Sequence, residues 1–331
     1  MKRIDFENHM YDQSLYDVME KREVIPYYRK ETDTIAWKET IIIPQGKLKP
    51  MLLDIGENRL KLMDELGIDM AVISSSPGVE ILDAGESVEV SRRSNDAIYS
   101  MTRKYPGRYL GSAILPVKDV AAACRELERC VKELGFVAWH THSNYGQTAP
   151  DDAVYRPIFK KAEELGVYVY LHPQLDNNPR VQDYGFSLAG SGLGFTLDAM
   201  ITITKLILSG IFDEMPNLTV LLGHLGEALP FLLARMDNRV KHITNPYMKN
   251  RHDPSYYFKK NILVTTSGNM SKEAFICARD VLGIDRILFA GDYPYEAVAE
   301  MISFLDALPI TETEREAMYY RNASEKLGLS V

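Results

Sequence analysis

The segment LLGHLGE, at residues 221–227, decides how the rest of the chain is interpreted. The apolar run 218–222 is typical of a strand, it stops at Gly223, and a helical pattern then begins with the acid Glu227 in its first turn. A histidine between a strand end and a helix start lies where α/β enzymes carry their catalytic groups. A single histidine after an apolar run is more often structural, so the interpretation of His224 depends on whether other strands bring similar residues to the same place.

The strand–loop–helix unit recurs along the whole chain. Runs typical of strands lie at residues 4–7, 70–74, 109–115, 136–142, 167–172, 219–224, 262–266 and 286–290. Patterns with the helical period lie at residues 57–66, 87–105, 120–133, 152–165, 197–212, 228–240, 271–282 and 297–305. Alternating strands and helices favour parallel pairing, because a parallel strand needs a crossover connection. Eight units predict an α/β fold, a closed (β/α)8 TIM barrel, and we expect one such domain over residues 1–331.

The composition narrows the classes of function. The chain has a formal net charge of −8 and no stripe of Lys and Arg, which argues against a nucleic-acid partner held by phosphate contacts. Its three cysteines, none of them in a CxxC pair, are typical of a reduced, cytoplasmic protein rather than of a disulfide framework. The amino terminus has no apolar signal core, and no run of about 18 apolar residues occurs, so we expect neither a secretory signal nor a membrane span.

Two stretches do not fit the repeated unit. Residues 11–55 are rich in Tyr, Pro and charged residues, and residues 173–195 contain Asn177-Asn178-Pro179 and then Gly190, Gly192 and Gly194. Both follow a predicted strand, so both would lie as inserted loops at the carboxyl-terminal mouth of the barrel. Long loops inside a compact domain are usually functional or disordered, and we expect these two to form a lid or the walls of a substrate site.

Residues with catalytic or metal-binding side chains stand at or after the ends of the predicted strands. They are Glu7, His9, His140, His142, His172, His224 and Asp292. The carboxyl ends of all strands of a barrel meet on one face, so these residues should be neighbours. Each has a plain structural alternative: Glu7 could be a solvated strand end and Asp292 an ordinary turn former.

Four of these residues predict a metal site. Glu7 and His9 are separated by one residue, so both side chains point to the same side of an extended chain. His172 and Asp292, after the fifth and eighth strands, would complete a mixed nitrogen and oxygen site for a divalent metal such as Zn²⁺ or Mn²⁺.

The remaining histidines are interpreted separately. Glu227 is placed to orient the imidazole of His224, which would then handle protons or stabilise an anion; the alternative is that Glu227 only complements the helix dipole. His142 lies nearer the mouth than His140 and is the better substrate-binding candidate. His140 remains open between a role in the site and that of a satisfied core histidine.

Taken together, the motifs resemble one branch of the amidohydrolase superfamily. The branch is typified by aminocarboxymuconate semialdehyde decarboxylase and includes the γ-resorcylate, 2,3-dihydroxybenzoate and 5-carboxyvanillate decarboxylases. The resemblance rests on ENH at 7–9, YLHP at 170–173, the block 206–239, VTTSGN at 264–269 and GDYPYE at 291–296. These motifs span nearly the whole chain.

The resemblance implies that Glu7, His9, His172 and Asp292 hold one metal ion, Mn²⁺ or Zn²⁺, and that His224 and Glu227 are catalytic. It also implies that Arg235 reaches the substrate of a neighbouring subunit, so a homodimer or homotetramer is expected. We expect Tyr295, in the GDYPYE motif, to contact the substrate as well. The fourth strand and residues 11–55 depart from the common pattern, and both should define which ring substituents are accepted.

The expected function is a metal-dependent, non-oxidative decarboxylase, a carboxy-lyase, acting on an aromatic acid with a phenolic hydroxyl ortho to the carboxylate. Asp292 would protonate the ring before CO2 leaves, and no organic cofactor would be needed. One alternative is a hydrolase of a lactone or amide, in which the metal activates water and Asp292 is the base. Another is a barrel that binds an aromatic acid without turning it over.

Overall fold

The computed structural model describes residues 1–54, 56–76, 78–175, 178–243 and 245–329. The strands in these ranges are β1 Ile4–Met10, β2 Tyr27–Arg29, β3 Thr34–Lys38, β4 Ile41–Pro44, β5 Met70–Ser75, β6 Tyr109–Ala113, β7 Ala138–His142, β8 Tyr168–His172, β9 Val220–Leu222, β10 Ile262–Thr265 and β11 Ile287–Leu288.

The α-helices in the same ranges are α1 Gln13–Lys21, α2 Leu48–Leu53, α3 Glu57–Glu65, α4 Ala84–Lys104, α5 Val120–Lys132, α6 Arg156–Leu165, α7 Pro179–Gln182, α8 Phe186–Ala189, α9 Gly194–Leu208, α10 Ile211–Glu214, α11 Leu229–Val240, α12 Pro254–Asn261, α13 Lys272–Leu282, α14 Val298–Asp306, α15 Glu312–Glu316 and α16 Asn322–Leu327. Single 3₁₀ turns lie at Val79–Ile81, Ala153–Tyr155, His224–Gly226 and Ile284–Arg286, and a π-helical turn lies at Ala317–Arg321.

Eight strands form a parallel, nearly closed barrel in the order β1, β5, β6, β7, β8, β9, β10, β11. The first strand is joined to the segment that follows the last strand by backbone hydrogen bonds from Phe6 N to Phe289 O at 3.0 Å and from His9 N to Tyr293 O at 2.7 Å. Helices alternate with the strands, as the sequence pattern requires. The predicted (β/α)8 barrel is therefore confirmed.

The strand ends differ from the predicted ones at three positions that matter for the site. β1 continues to Met10, because its last residues pair with β5, so His9 lies inside the strand. β9 stops at Leu222, which places His224 in the turn that follows. β11 ends at Leu288, so Asp292 is on a loop four residues beyond the strand. At β1 polar residues continue the strand beyond the apolar pattern, whereas at β11 the apolar residues Phe289 and Ala290 continue beyond the last paired residue.

The prediction of a long loop over residues 11–55 is wrong. This stretch contains α1, α2 and an antiparallel sheet in the order β2, β3, β4. It packs with part of the chain after β8 around an apolar cluster, which we call the insertion core: Tyr11, Leu15, Tyr16, Met19, Tyr28, Ile35, Trp37, Ile41, Leu52, Val79, Leu82, Val90, Ile114, Leu175, Val181 and Ala189.

The second predicted loop, residues 173–195, is also partly helical, since it contains α7 and α8. Residue 177 of the Asn177-Asn178-Pro179 motif and residue 55 of the first stretch lie outside the described residues. Both stretches lie at the mouth of the barrel, where their residues line a common cavity. The predicted position at the mouth is thus correct, whereas the loop conformation is not.

One segment, Phe186–Leu208, is long and apolar enough to cross a membrane by length and composition alone, whereas the sequence pattern predicts no membrane span. The chain leaves helical geometry at residues 190–193, between α8 and α9, so the segment is not one continuous helix. α9 alone has 15 residues, fewer than the about 20 that span a bilayer. Its residues Ala199, Ile203 and Leu206 pack in the barrel's apolar core, and core helices pass the same test.

A buried arginine supports the end of β1. Arg59, on α3, is 1% exposed and donates hydrogen bonds to Asn8 Oδ1 at 2.9 Å and to Met51 O at 3.0 Å. Asn8 in turn donates to Asp5 Oδ2 at 3.1 Å. Asp5 Oδ1 accepts hydrogen bonds from the backbone N–H groups of Glu7, on β1, and of Gly291, in the loop after β11. This network links β1 to the loop that carries Asp292.

Arg59→Met is therefore expected to destabilise the protein by roughly 2–4 kcal/mol, because it leaves the Asn8 and Met51 oxygens buried without donors. Urea unfolding at neutral pH measures the loss. Lys61→Met, at an exposed position of α3, is the matched control and should change the free energy of unfolding by less than about 0.5 kcal/mol. Equal stability of the two variants would contradict the proposed supporting role of Arg59.

Candidate metal centre and active site

Four residues that the sequence singled out as metal ligands meet at the carboxyl end of the barrel. One ligand atom from each of Glu7, His9, His172 and Asp292 lies within 4.8 Å of the others, and all four residues are buried. His9 Nε2 is 2.9 Å from Asp292 Oδ1 and 3.6 Å from Glu7 Oε1. His172 Nε2 is 3.5 Å from Glu7 Oε1. The structure thus brings together residues from β1, β8 and the loop after β11.

Hydrogen bonds on the far side of each imidazole set its orientation. The Nδ1 atom of His9 lies 3.2 Å from Ser74 Oγ at the end of β5. The Nδ1 atom of His172 lies 2.7 Å from the carbonyl oxygen of Pro173, so this nitrogen is the donor. Both contacts leave Nε2 directed at the cluster, as partners of metal-ligating histidines do.

The cluster contains buried polar atoms that the described chain does not satisfy. Both carboxylate oxygens of Glu7, Nε2 of His9 and Oδ1 of Asp292 have no hydrogen-bonding partner of acceptable geometry among the described residues. Buried polar atoms without partners are rare and costly. Oxygen and nitrogen atoms as close as 2.9 Å need a proton or a cation between them, and two nitrogens with two carboxylates form a donor set for Mn²⁺ or Zn²⁺. The residues present therefore fit a divalent metal ion.

The pKa values of the two carboxyl groups in the cluster are shifted in opposite directions. Burial by itself would raise the pKa of Glu7, but the neighbouring imidazoles of His9 and His172 outweigh it and hold that pKa well below its usual range. Burial raises the pKa of Asp292, and the Glu7 carboxylate raises it further. Asp292 thus holds a proton closer to neutral pH than an ordinary aspartate does. Two acids with separated pKa values are typical of acid–base sites.

His224 is held by a carboxylate, as the sequence predicted. Its Nδ1 atom lies 2.7 Å from Glu227 Oε1, and the other Glu227 oxygen accepts a hydrogen bond from Thr196 Oγ1 at 2.7 Å. Glu227 lies two residues before Leu229, the first residue of α11, rather than in the first helical turn. Gly268 makes room for the ring, since a Cβ there would approach His224 Cδ2 to 2.7 Å.

Backbone strain concentrates at this site. Five described residues other than glycine have positive φ, and four of them are His224, Leu225, Glu227 and Asp292. Residues with side chains rarely adopt this conformation, which costs of order 1–3 kcal/mol each and recurs at functional sites. The strained turn allows His224 and Glu227, three residues apart, to face each other outside a helix.

The Glu227 carboxylate determines the charge of His224. Burial disfavours the protonated ring, but Glu227 outweighs burial and raises the pKa of His224 to about 10. A raised pKa stabilises the fold below the unfolded-state pKa of about 6.5, and this contribution is lost as pH rises through about 10. The imidazole is therefore positively charged at neutral pH.

Glu227→Gln is expected to lower the pKa of His224, to reduce stability near pH 6.5 by roughly 2–3 kcal/mol, and to flatten the fall in stability between pH 6.5 and 10. Urea unfolding at several pH values measures the stability, and NMR titration of the His224 ring measures the pKa. Glu65→Gln, in the exposed pair with Lys61, is the control. An unchanged His224 pKa in Glu227→Gln would show that Glu227 does not set the charge.

His142, predicted to contact the substrate, makes other contacts in the fold. Its Nδ1 lies 2.9 Å from Glu80 Oε1 and its Nε2 lies 2.9 Å from Ser76 Oγ. The ring is fully buried and is not among the described residues that line the cavity. Tyr295 donates a hydrogen bond to Ser76 O at 2.9 Å. This geometry favours a supporting position behind Tyr295, and the predicted substrate contact of His142 stays a prediction.

His140 lies deeper in the barrel, stacked on Tyr170 with ring centres 5.1 Å apart and 5.4 Å from the His9 ring. Its Nε2 atom has no partner among the described residues. His140, His142 and His172 also have nitrogen atoms within 4.8 Å of one another. Both nitrogens of His142 and Nδ1 of His172 are already engaged, so this second group does not offer three free ligand atoms.

A cavity of about 540 Å³ opens beside the metal-ligand cluster, within the size range of small-molecule sites. The polar residues at the cluster end are His172, His224, Glu227, Asn269, Asp292 and Glu296. Tyr295 also lines the cavity, as expected for a substrate-contacting residue. Arg235 is exposed on α11 and is not among the described lining residues.

Several residues of the site did not emerge from the sequence analysis. Asn269 and Glu296 lie within the motifs VTTSGN and GDYPYE, but the motifs alone do not assign them a function. The serines at 74–76 stand at the end of a predicted strand, and that position could have indicated a place in the site. Glu80 and Thr196 carry no such signal, because they lie in a 3₁₀ turn and in α9. Their contribution depends on which side chain each one faces.

Comparisons with known proteins agree with this geometry. The chain is 37% identical to γ-resorcylate decarboxylase from a Rhizobium species over 299 residues, which cover 87% of this chain and 89% of that protein. It is similar to the solved structure of a dihydroxybenzoic acid decarboxylase from a Polaromonas species with bound manganese and the inhibitor 2-nitroresorcinol (TM-score 0.85, 33% identity, 99% and 97% of the two chains covered). It is also similar to 5-carboxyvanillate decarboxylase from Sphingomonas paucimobilis (TM-score 0.90, 27% identity, 99% of both chains covered). Since the model of the amidohydrolase family matches residues 4–329, the chain belongs to the amidohydrolase family, in the branch that contains these decarboxylases.

Proposed function

We propose that the protein is a metal-dependent, non-oxidative decarboxylase of a hydroxybenzoate-type acid with a phenolic hydroxyl ortho to the carboxylate. The observation that carries the proposal is the position of Asp292. This carboxyl group, whose pKa is raised by burial, belongs to the metal-ligand cluster and also lines the cavity. An acid in that position is suited to protonate a ring carbon. The related decarboxylases support the same reaction class.

Glu7, His9, His172 and Asp292 are the residues that would hold the metal ion. A divalent cation bound there would supply a Lewis acid and a template for the phenolate and carboxylate oxygens of the substrate. Manganese bound to the Polaromonas relative favours Mn²⁺ over Zn²⁺ as the ion. We further propose that no organic cofactor takes part, since the ring itself accepts the electron pair during the reaction.

The chain's own residues account for the proton and for the charge. Asp292 transfers a proton to the ring carbon that bears the carboxylate, which interrupts the aromatic system. The bond to the carboxylate then breaks, its electron pair returns to the ring, and CO2 leaves with a phenol as the second product. His224, protonated because Glu227 raises its pKa, stabilises the negative charge of the substrate, and Asp292 regains a proton from solvent.

Release of CO2 tests the proposal against its main alternative. Purified protein with Mn²⁺ is expected to release one CO2 for each molecule of an ortho-hydroxybenzoate consumed, without net uptake of water. A hydrolase on the same barrel would instead open a lactone or amide and would release no CO2 from any of the ortho-hydroxybenzoates tested. That second result, or binding of the acids without turnover, would end the decarboxylase proposal.

We also propose that the chain acts as one domain in the cytoplasm and as a homodimer or homotetramer. Its three cysteines are free. Arg235 is exposed on α11, one turn after Phe231, which is 79% exposed, so this helix face is available to a partner. In a dimer Arg235 would reach the substrate of the neighbouring subunit. Arg235→Ala should then lower kcat/KM at an unchanged molecular mass in light scattering, and a monomeric parent protein would contradict the assembly.

A further inference from the structure

The cavity has two chemically different ends. His172 and Asp292 of the metal-ligand cluster, with His224 and Glu296, form its polar end, and an apolar wall is formed by Ile35, Trp37, Ile43, Leu48 and Leu52. All five of these residues belong to the 11–55 stretch, on β3, β4 and α2. Leu175, Phe186 and Phe195 add further apolar lining, and Leu175 and Phe195 pack in or against the same insertion core. The apolar wall is therefore a separate feature from the acid–base groups.

The apolar wall rests on the insertion core and does not have to form when a ligand arrives. Ile35 is 1% exposed, Trp37 is 8% exposed and Leu52 is fully buried, and all three are part of that core. Ile43 and Leu48 pack against it while remaining half-buried at the cavity surface. A wall fixed by its own core is preorganised, so a ligand that contacts it does not pay to order it.

The side chain of Gln45, between Ile43 and Leu48 in the sequence, is already engaged in hydrogen bonds. Gln45 accepts a hydrogen bond from Tyr16 Oη at 2.9 Å and donates one to Ile43 O at 3.1 Å. None of the described residues that line the cavity is Lys or Arg, and the carboxylates lie at the polar end. Within one subunit, a second carboxylate against the apolar wall would have no counter-ion among the described lining residues, which is costly.

The cavity, at about 540 Å³, falls in the middle of the range found for drug-sized ligands, about 300–1,000 Å³. A simple hydroxybenzoate has one ring and is much smaller. Such a molecule would fill only part of the cavity, which leaves room for a substituent.

We propose that the substrate is a monocarboxylic ortho-hydroxybenzoate that carries an uncharged, apolar substituent, alkyl or aryl, and that this substituent binds against Trp37, Ile43 and Leu48, which Ile35 and Leu52 support from within the insertion core. The inference rests on the proposed decarboxylase function and deepens it by naming the substrate class. Burial of each additional methylene group contributes a factor of roughly four to kcat/KM. A propyl substituent should thus gain a factor of about 60 over the unsubstituted acid.

A substrate series with two matched variants tests the inference. The acids are ortho-hydroxybenzoates with no substituent, with methyl, ethyl and propyl groups, and with a carboxymethyl group, and CO2 release is measured with Mn²⁺-loaded protein. We expect kcat/KM to rise along the alkyl series and to be lowest for the dicarboxylic acid. In Ile43→Ser the ratio of kcat/KM for the propyl acid to that for the unsubstituted acid should fall about tenfold. Ile42→Ser, at the exposed neighbouring position of β4, should keep the parent ratio.

Leu48→Ser, on α2, provides a second test of the same wall if Ile43→Ser does not fold. Equal kcat/KM for all the monocarboxylic acids, a preference for the dicarboxylic acid, or a parent ratio in both Ser variants that fold would overturn the inference.

Binding separates this inference from the proposed function. If no acid releases CO2, the decarboxylase proposal fails, but calorimetry with alkylresorcinols of increasing chain length still probes the wall. A Kd that falls about fourfold per methylene in the parent protein, and less in Ile43→Ser, supports the apolar subsite. A Kd that does not change with chain length overturns it.

Discussion

Asp292→Asn is expected to lower kcat for decarboxylation by roughly 10²–10⁴-fold, the usual contribution of a general acid. The amide cannot give a proton to the ring carbon, although it has nearly the same shape as the acid. Asp292 belongs to the metal-ligand cluster and also lines the cavity, so its carboxyl group is placed beside a bound substrate. The steady-state rate of CO2 release at a saturating substrate concentration measures the loss.

Metal content decides how that loss is interpreted, because Asp292 is also one of the four residues of the metal-ligand cluster. If Asp292→Asn keeps one Mn²⁺ per chain by elemental analysis, the lost activity reports the proton transfer. If the variant also loses Mn²⁺, excess Mn²⁺ should restore metal binding without restoring turnover. Glu300→Gln, an exposed acid on α14, is the control and should retain parent activity. Activity of Asp292→Asn within tenfold of the parent would exclude Asp292 as the acid.

Removal of the metal is expected to abolish measurable turnover, and Mn²⁺ is expected to restore it. Glu7, His9 and Asp292 present buried atoms that have no partner among the described residues. A cation bound by them should also stabilise the fold, by about 2.7 kcal/mol when free Mn²⁺ is one hundred times its Kd. Chelation followed by dialysis, an activity assay and a thermal melt with and without Mn²⁺ measure both effects.

Glu7→Gln and His252→Ala form a matched pair for this experiment. Glu7→Gln removes a charge from the cluster and should lose both Mn²⁺ affinity and the increase in Tm that Mn²⁺ produces. His252 is an exposed histidine away from the cluster, and its Ala variant should respond to Mn²⁺ as the parent does. Full activity after exhaustive chelation, with no metal by elemental analysis, would rule out the metal site at these four residues.

Much of the candidate site could be predicted because it depends on strand order alone. In a barrel of parallel strands, residues at the carboxyl ends meet wherever they stand in the chain. Glu7 and His9, His172 and Asp292 could therefore be placed together before any contact was known. The pairing of His224 with Glu227 was also predictable from their separation of three residues, although the strained turn that brings them together was not.

The contacts that orient these groups could not be predicted in the same way. Ser74 behind His9, Thr196 behind Glu227, and Glu80 with Ser76 around His142 join residues that lie 31 to 66 positions apart. Their partners depend on side-chain direction, which a hydrophobic pattern does not carry. For this reason the place of His142 on β7 does not reveal that both of its ring nitrogens have partners in the fold.

Residues 11–55 show which features follow from the sequence pattern and which depend on tertiary packing. The sequence alone determined the barrel, through the alternation of apolar strands and amphipathic helices, and it determined the metal-ligand cluster, because parallel strand ends converge. Only the tertiary structure decided that residues 11–55 form a folded wall with its own core, since its short strands and helices have weak individual patterns and are stabilised by packing on residues up to position 189. That packing gives the cavity its apolar end, and with it the class of substituent that the substrate is proposed to carry.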